Sequence, residues 1–317
     1  MRRLRPYEIL VLANTLLVAA LLSRRVGLPV RSILEAQPST FFLGFGLVAA
    51  GAALRAADVA REDGAARARL YLRLLSRPEN LLDLSRMLIV LGLVTWSYSW
   101  LKVFVTHLNR WVTDPLLASA DFRLHLGINP NRFLIELFPY PALWQGVDYY
   151  YAGFVFTLGA GFALLASALD SRERSRFAAG FAVLWIAGSW FYVALPSLGP
   201  CYVFPEDYTA VRAHLPLQTE TQRLLIAQYR IVTSGMKPGT ELNPVFGIAA
   251  MPSLHVAGQA FLAFAARKRH PRLALFFAVL SILTFLGSLV TGWHYAVDGY
   301  AGFLLAWGAW RLGTRLG

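Results

Sequence analysis

Near the C-terminus, two short strings hold residues whose types and spacing could do chemistry: Met251-Pro252-Ser253-Leu254-His255 and Trp293-His294-Tyr295-Ala296-Val297-Asp298. An imidazole can attack an electrophile or move a proton near neutral pH, and a carboxylate can hold it in one tautomer. His294 and Asp298 are four positions apart, so on a helix their Cβ atoms would stack about 5–6 Å apart. That contact would fix one ring nitrogen of His294 and leave the other as a nucleophile. His255 belongs to a separate helix and is suited to the opposite task, giving its proton to an alkoxide leaving group. Pro252 suits a first helical turn, and the Ser253 hydroxyl beside free backbone N–H groups would cradle an anion. The anion suggested is phosphate.

The elements that position these residues have to return the chain to one place. Thirty-nine positions separate the two histidines, enough to cross a bilayer, turn at Arg267-Lys268-Arg269-His270-Pro271 and come back. A crossing takes about 20 mainly apolar residues for about 30 Å of hydrocarbon. Eight stretches qualify: 7–26, 39–57, 84–106, 147–169, 177–196, 248–266, 272–290 and 294–312. With 56% hydrophobic and 15% charged residues, the chain is too apolar for a disordered or ordinary soluble protein. The lone Cys201 excludes a disulfide scaffold. The expected fold is therefore all-α, a polytopic membrane bundle of about eight transmembrane helices with a six-helix catalytic core. Residues 1–83 are read as an N-terminal two-helix membrane extension with a basic cytoplasmic loop, and 84–317 as the catalytic membrane domain. Arg2, Arg3 and Arg5 precede the first apolar run as in a signal peptide, but no small-x-small cleavage pattern follows, so a retained anchor is expected. The Ala- and Gly-rich second stretch would also suit a buried or interfacial helix.

A net charge of +12 would point to nucleic acid in a soluble protein, but topology accounts for it here. With the N-terminus in the cytoplasm, eighteen Lys/Arg fall in inner segments and ten in outer ones that are mostly longer, the bias of an integral membrane protein. Both termini are then cytoplasmic, the His-His-Asp cluster is extracytoplasmic, and no nucleic-acid partner is expected. The outer segment 107–146 carries Trp111, Phe122, Phe133, Phe138, Tyr140 and Trp144 among prolines and charges, as short interfacial helices do. The outer loop 197–247 is broken by Pro200, Pro205, Pro216, Pro238 and Pro244 and is long enough to form a lid or wall. Neither internal repeats nor the inverted symmetry of transporters stands out.

The pair P-S-L-H and H-Y-x-x-D resembles the motifs of the lipid phosphate phosphatase/phosphotransferase superfamily (type 2 phosphatidic acid phosphatase-like), whose common forms read P-S-G-H and S-R-x5-H-x3-D. The strings P-S-L-H-V-A and W-H-Y-A-V-D-G are similar to its inositol phosphorylceramide synthase branch. The resemblance covers 84–312 in architecture and 252–302 in matched residues. It implies that His294 attacks phosphorus, Asp298 orients it, and His255 protonates the leaving group, with no metal or other cofactor. The family's Ser-Arg pair falls on Gly287 and Ser288, so its phosphate-binding arginine is missing. A K-x6-R-P motif is missing too, and Leu195-Pro196-Ser197-Leu198-Gly199-Pro200 looks like the proline-rich counterpart in the synthase branch. The nearest outer-side cations in sequence that would neutralise the phosphate, beside Ser253, are Lys237, Arg230 and Arg223.

Plainer readings exist for each feature. His294 and Asp298 would also make a capped helix with a satisfied polar pair, although two histidines and an acid on one membrane face are costly without a use. Two histidines and a carboxylate could begin a metal site, but no further ligand lies near in sequence. His107, His125, His214 and His270 read as solvated or interfacial, Asp148 as a helix-start acid, and Gly299, Gly302 and Gly308 as close-packing positions. The reading that follows is an integral membrane phosphotransferase. It would move a phospho-head group from a phospholipid donor to an alcohol acceptor through a phosphohistidine. The alternatives are a phosphatase with water as acceptor, acting on phosphatidic acid, a prenyl pyrophosphate or a related lipid phosphate, and a lipid transporter without chemistry.

Overall fold

A computed structural model describes residues 4–28, 37–235 and 240–317. Apart from one 3-10 turn, every element among the described residues is an α-helix. In chain order they are α1 (Pro6–Val26), α2 (Gln37–Asp63), α3 (Ala65–Leu75), α4 (Pro78–Leu108), α5 (Asp114–Leu124), α6 (Pro130–Leu137), α7 (Pro141–Ala166) and α8 (Ser171–Ala194). There follow α9 (Pro200–Val203), the 3-10 turn Pro205–Tyr208, α10 (Thr209–Arg212), α11 (Pro216–Thr233), α12 (Leu254–Ala266), α13 (Pro271–Thr291) and α14 (Ala296–Leu316).

Each of the eight expected stretches lies at least in large part on a helix, and six of these helices are long and apolar enough to cross a membrane: α1, α2, α4, α7, α8 and α13. The two that carry the motifs differ. Helix α12 has 13 residues, because Ser253 caps it and the preceding 248–252 stretch is not helical. Helix α14 has the length, but its glycines, tryptophans and charges dilute the aliphatic residues. Local signals set the boundaries. Proline occupies the first turn of α1, α4 and α7, where no N–H is needed, and Asp170 caps α8 by accepting from Arg172 N–H at 2.9 Å.

Helix α8 packs against α1, α4, α7, α12 and α14, while α12, α13 and α14 form a tight group. One apolar core joins Tyr7 and Val11 of α1 and Val48 and Ala52 of α2 to Phe177, Phe261 and Phe277. A polar cluster ties the same helices together near the start of α8. Arg174, 1% exposed, donates to Asp83 and Asn80 at 2.8 Å each and to the Ala168 carbonyl at 2.6 Å. Arg5 also pairs with Asp83, and Arg86 pairs with Glu8 at 2.6 Å. Three guanidinium groups thus face two carboxylates, so neither buried acid is left without a cation.

At the far end of α8 the segment 107–146 and the described residues of 197–247 form helices α5, α6 and α9 to α11 and the 3-10 turn over the bundle. Trp111, Phe122, Phe133, Phe138 and Tyr140 are exposed, while Trp144 is buried. Helix α11 lies against α4 and α7. Its Gln218 accepts from the Trp293 indole at 2.7 Å and its Gln222 donates to the Thr291 carbonyl at 2.8 Å, so the long loop walls the turn that carries His294.

Candidate active site

The site begins where α13 ends. Gly292 adopts a left-handed conformation with φ 75°, which only glycine adopts cheaply, and turns the chain into Trp293-His294-Tyr295 before α14 starts at Ala296. His294 therefore lies in the turn and not on the helix, which corrects the four-residue helical stacking expected from spacing. The pair forms because the turn folds back over the first helical turn. Asp298 Oδ2 accepts the Tyr295 N–H at 2.9 Å and stands 3.4 Å from His294 Nδ1. The carboxylate is at once a helix cap and the neighbour of the imidazole. Both are buried, Asp298 completely.

His255 is the second residue of α12 and partly exposed. Its Nδ1 lies 3.3 Å from His294 Nε2 and 2.6 Å from the Tyr151 hydroxyl on α7. Phe154 meets its ring edge-on, with centroids 4.4 Å apart. Ser253 is placed otherwise than expected: it is fully buried, its Oγ accepts from Val256 N–H at 3.4 Å, and its N–H donates to the Asp298 carbonyl at 2.9 Å. The hydroxyl caps α12 and does not point outward into an anion cradle. Pro252 precedes that cap, after a cis bond from Met251, and is not in the first helical turn. Gly302 lets α14 approach, since a Cβ there would lie 2.5 Å from the Ser253 carbonyl oxygen.

Buried carboxylates brace this turn. Asp121 of α5 accepts the N–H groups of Ala296 and Val297 at 2.7 and 2.8 Å, satisfying the start of α14 from outside. Burial raises the Asp121 carboxyl above its usual range, against the pull of those two N–H groups. Asp114 accepts from the backbones of Leu198 and Gly199 at 2.8 and 2.9 Å and from the Tyr295 hydroxyl at 3.0 Å. Asn131 donates to the Leu289 and His294 carbonyls at 3.0 Å each. The proline-rich segment is thus pinned between Asp114 and the chain before α12, where Ser197 Oγ accepts from Met251 N–H at 3.0 Å. Sequence reasoning passed over Asp114, Asp121 and Asn131, although acids within an apolar interfacial segment were a usable signal.

Two imidazoles in contact, one carboxylate behind the buried ring, and polar groups fixing the turn form an arrangement suited to nucleophilic attack with proton transfer. The family model of the PAP2 superfamily matches residues 117–312. The chain belongs to the PAP2 superfamily. Comparison with curated proteins and with solved structures finds no match. Membership indicates an integral membrane enzyme of lipid phosphatase or phosphotransferase type; the matched model does not single out the inositol phosphorylceramide synthase branch.

Where common PAP2 forms place the Ser-Arg pair, this PAP2 protein has the buried residues Gly287 and Ser288. Ser288 is fully buried and donates to the Phe285 carbonyl at 2.7 Å; a Cβ on Gly287 would already touch Tyr151 and Val147. Of the cations expected to compensate, Arg223 is exposed on α11 and bonded to both oxygens of Glu220 at 2.7 and 2.8 Å, which holds that carboxyl below its usual range. Arg230 is exposed on the same helix. Lys237 lies outside the described residues. A cation the sequence reading did not single out is Lys102 of α4, half-buried and felt electrostatically at His255. Its Nζ stands 5.9 Å from the Tyr98 ring centroid, and Gly247 lies against its stem. A lysine in an apolar span was the signal for it.

An apolar groove of about 540 Å³ opens between α6, α7 and α13, lined by Leu134, Trp144, Tyr150, Leu283, Gly287 and Val290. Gly287 is where the groove meets Tyr151. Among the described residues no group of three His, Cys, Asp or Glu side chains is arranged to hold a metal ion. His125, His214, His270 and Asp148 lie in contacts away from the two catalytic-candidate histidines. His125 bridges the Asp121 carbonyl at 2.7 Å and the Tyr300 hydroxyl at 2.9 Å, His214 lies against Trp144, and His270 lies 3.4 Å from an Arg55 nitrogen. Asp148 sits within α7 and caps the start of α11 through Leu217 and Gln218 N–H, so it is a cap for a helix other than its own. Gly299 is packed under Phe285, whereas Gly308 faces open space and is not a packing position.

Proposed function

We propose that this protein is a lipid phosphotransferase that works by two displacements at His294, and that it moves a phospho-head group from a phospholipid to an alcohol. The observation that carries the reading is the line Asp298–His294–His255, in which each imidazole presents a nitrogen to the other. A 3.3 Å gap is too narrow for a phosphate ester between the rings, so substrate enters by parting them. His294 Nε2 then bonds to phosphorus as the P–O bond to the lipid alcohol breaks, and protonated His255 gives its proton to the departing oxygen. In the second half, neutral His255 takes the proton of the incoming hydroxyl. That oxygen bonds to phosphorus, the P–N bond breaks, and His294 is restored. Lys102 supplies positive charge to the phosphate oxygens in place of the absent family arginine. The lipid tail lies in the groove beside Tyr151, and the site faces the extracytoplasmic side, as the Lys/Arg distribution indicates.

Support for transfer over hydrolysis comes from the synthase-like motif forms and from the wall that α11 and the proline-rich segment build around His294, 2% exposed, which limits water at the intermediate. Hydrolysis of a lipid phosphate is the second reading, favoured by the partial exposure of His255. Product analysis by mass spectrometry with a phospholipid panel, with and without inositol-type and lipid alcohols, separates them. A phosphorylated acceptor appearing with diacylglycerol supports transfer, diacylglycerol with the free phospho-head group or with inorganic phosphate supports hydrolysis, and lipid movement without cleavage would sink both.

A further inference from the structure

A second pocket lies at the opposite end of the bundle from the histidines. Asp298 and Thr314 are sixteen residues apart on α14, which places the pocket beside Thr314 about 24 Å from the proposed site. The cavity measures about 150 Å³ and is formed where the end of α7, the start of α8, the end of α12 and the turn after it converge on α2 and α14. Four cations line it, Arg55, Arg176, Lys268 and Arg269, against one acid, Glu173. Arg269 is shared by Glu173 and by Asp170 just outside the lining, so Arg55, Arg176 and Lys268 are the cations left to the cavity.

The cations are not equally engaged. Arg55 donates to the Leu164 carbonyl at 2.8 Å. Arg176 Nε is buried without a hydrogen-bond partner, and Lys268 makes no ion pair among the described residues. His270 does not add to the charge near neutrality, since burial and the neighbouring Arg55 and Arg269 hold it below its ordinary value. The floor is aromatic, with Phe177, Phe261, Phe264 and Trp310. A positive-inside bias explains exposed arginines at a membrane surface. It does not explain an aromatic floor beneath a cationic rim.

We propose that this pocket binds the phosphate of an anionic phospholipid, with the phosphate between Arg176 and Lys268 and the glycerol end of the chains on the aromatic floor. It is a site separate from the chemistry, and the assignment does not rest on the phosphotransferase reading. Guanidinium and ammonium groups supply charge-assisted bonds to phosphate oxygens, and the rings favour a lipid over a free ion.

The test uses the full chain carrying His294→Ala, so that no added lipid is turned over, in detergent. Binding of phosphatidylglycerol, phosphatidylcholine and inorganic phosphate is measured by native mass spectrometry. It is compared among this protein, R176Q/K268Q and the charge-preserving R176K/K268R. Phosphatidylglycerol is expected to bind more tightly than phosphatidylcholine, with affinity lowered about tenfold in R176Q/K268Q and kept in R176K/K268R. If the double variant does not fold, K268Q alone, at the rim, is expected to lose about threefold. Equal affinity in the neutralised and parent proteins, or no preference for the anionic lipid, would overturn the site. Inorganic phosphate binding as tightly as the lipid would overturn the lipid assignment.

Discussion

His294 Nε2 and His255 Nδ1 stand 3.3 Å apart although 39 positions separate them in the chain. The contact is made possible by two close approaches, Gly302 against the Ser253 carbonyl and the Ser253 N–H bonded to the Asp298 carbonyl. The same backbone contact therefore sets both the distance between α12 and α14 and the distance between the imidazoles.

His294→Ala and His255→Ala are expected to abolish detectable turnover, each losing about 10²–10⁴-fold or more, the usual scale for a positioned acid–base group. Asp298→Asn should lose less from the ring contact, but it also weakens the cap at Tyr295 N–H. Initial rates with a labelled phospholipid, alongside thermal unfolding to show that the fold persists, check this; full activity in His294→Ala would remove the nucleophile.

Lys102→Met should reduce kcat/KM about 10²-fold, the cost of removing one preorganised positive contact to a developing charge, whereas Arg223→Ala and Arg230→Ala should change it less than twofold. Kinetics of the three variants side by side decide which cation serves the phosphate.

Tyr151→Phe removes the hydroxyl 2.6 Å from His255 Nδ1 and frees that ring to change tautomer. We expect kcat to fall about tenfold with KM little altered, because the tail groove is intact. A rise in KM alone would make Tyr151 a binding residue.

Much of the fold was legible in the sequence, because a span announces itself by length and apolarity, and each expected stretch carries a helix, although only the second part of 248–266 is helical. What spacing did not reveal was local. The i, i+4 spacing of His294 and Asp298 looks helical, but Gly292 and the Tyr295 N–H place the histidine in a turn. Ser253 looks like an anion ligand and is a buried cap. Lys102 and Asp121 act across 150 or more positions of chain, a relation no single stretch displays. The choice of Arg223 failed for a plain reason: nearness in sequence says nothing about which face of α11 a side chain takes, and Glu220 one turn away already engages it.

Stability should depend on the charge cluster at the other end. Arg174→Met leaves Asp83 with Arg5 as its remaining partner and should cost about 3–5 kcal/mol, read as a lower Tm in detergent. The doubly neutral Arg174→Met with Asp83→Leu should recover part of that loss.

The central claim is a covalent phosphorus–nitrogen bond on one residue. Rapid quenching at alkaline pH of the protein with a phospholipid labelled in its head-group phosphorus, followed by peptide mapping, tests it directly. Label on the peptide containing His294, absent in His294→Ala and chased by added alcohol, is the predicted result. Steady turnover with no label on His294 at any time would contradict the account.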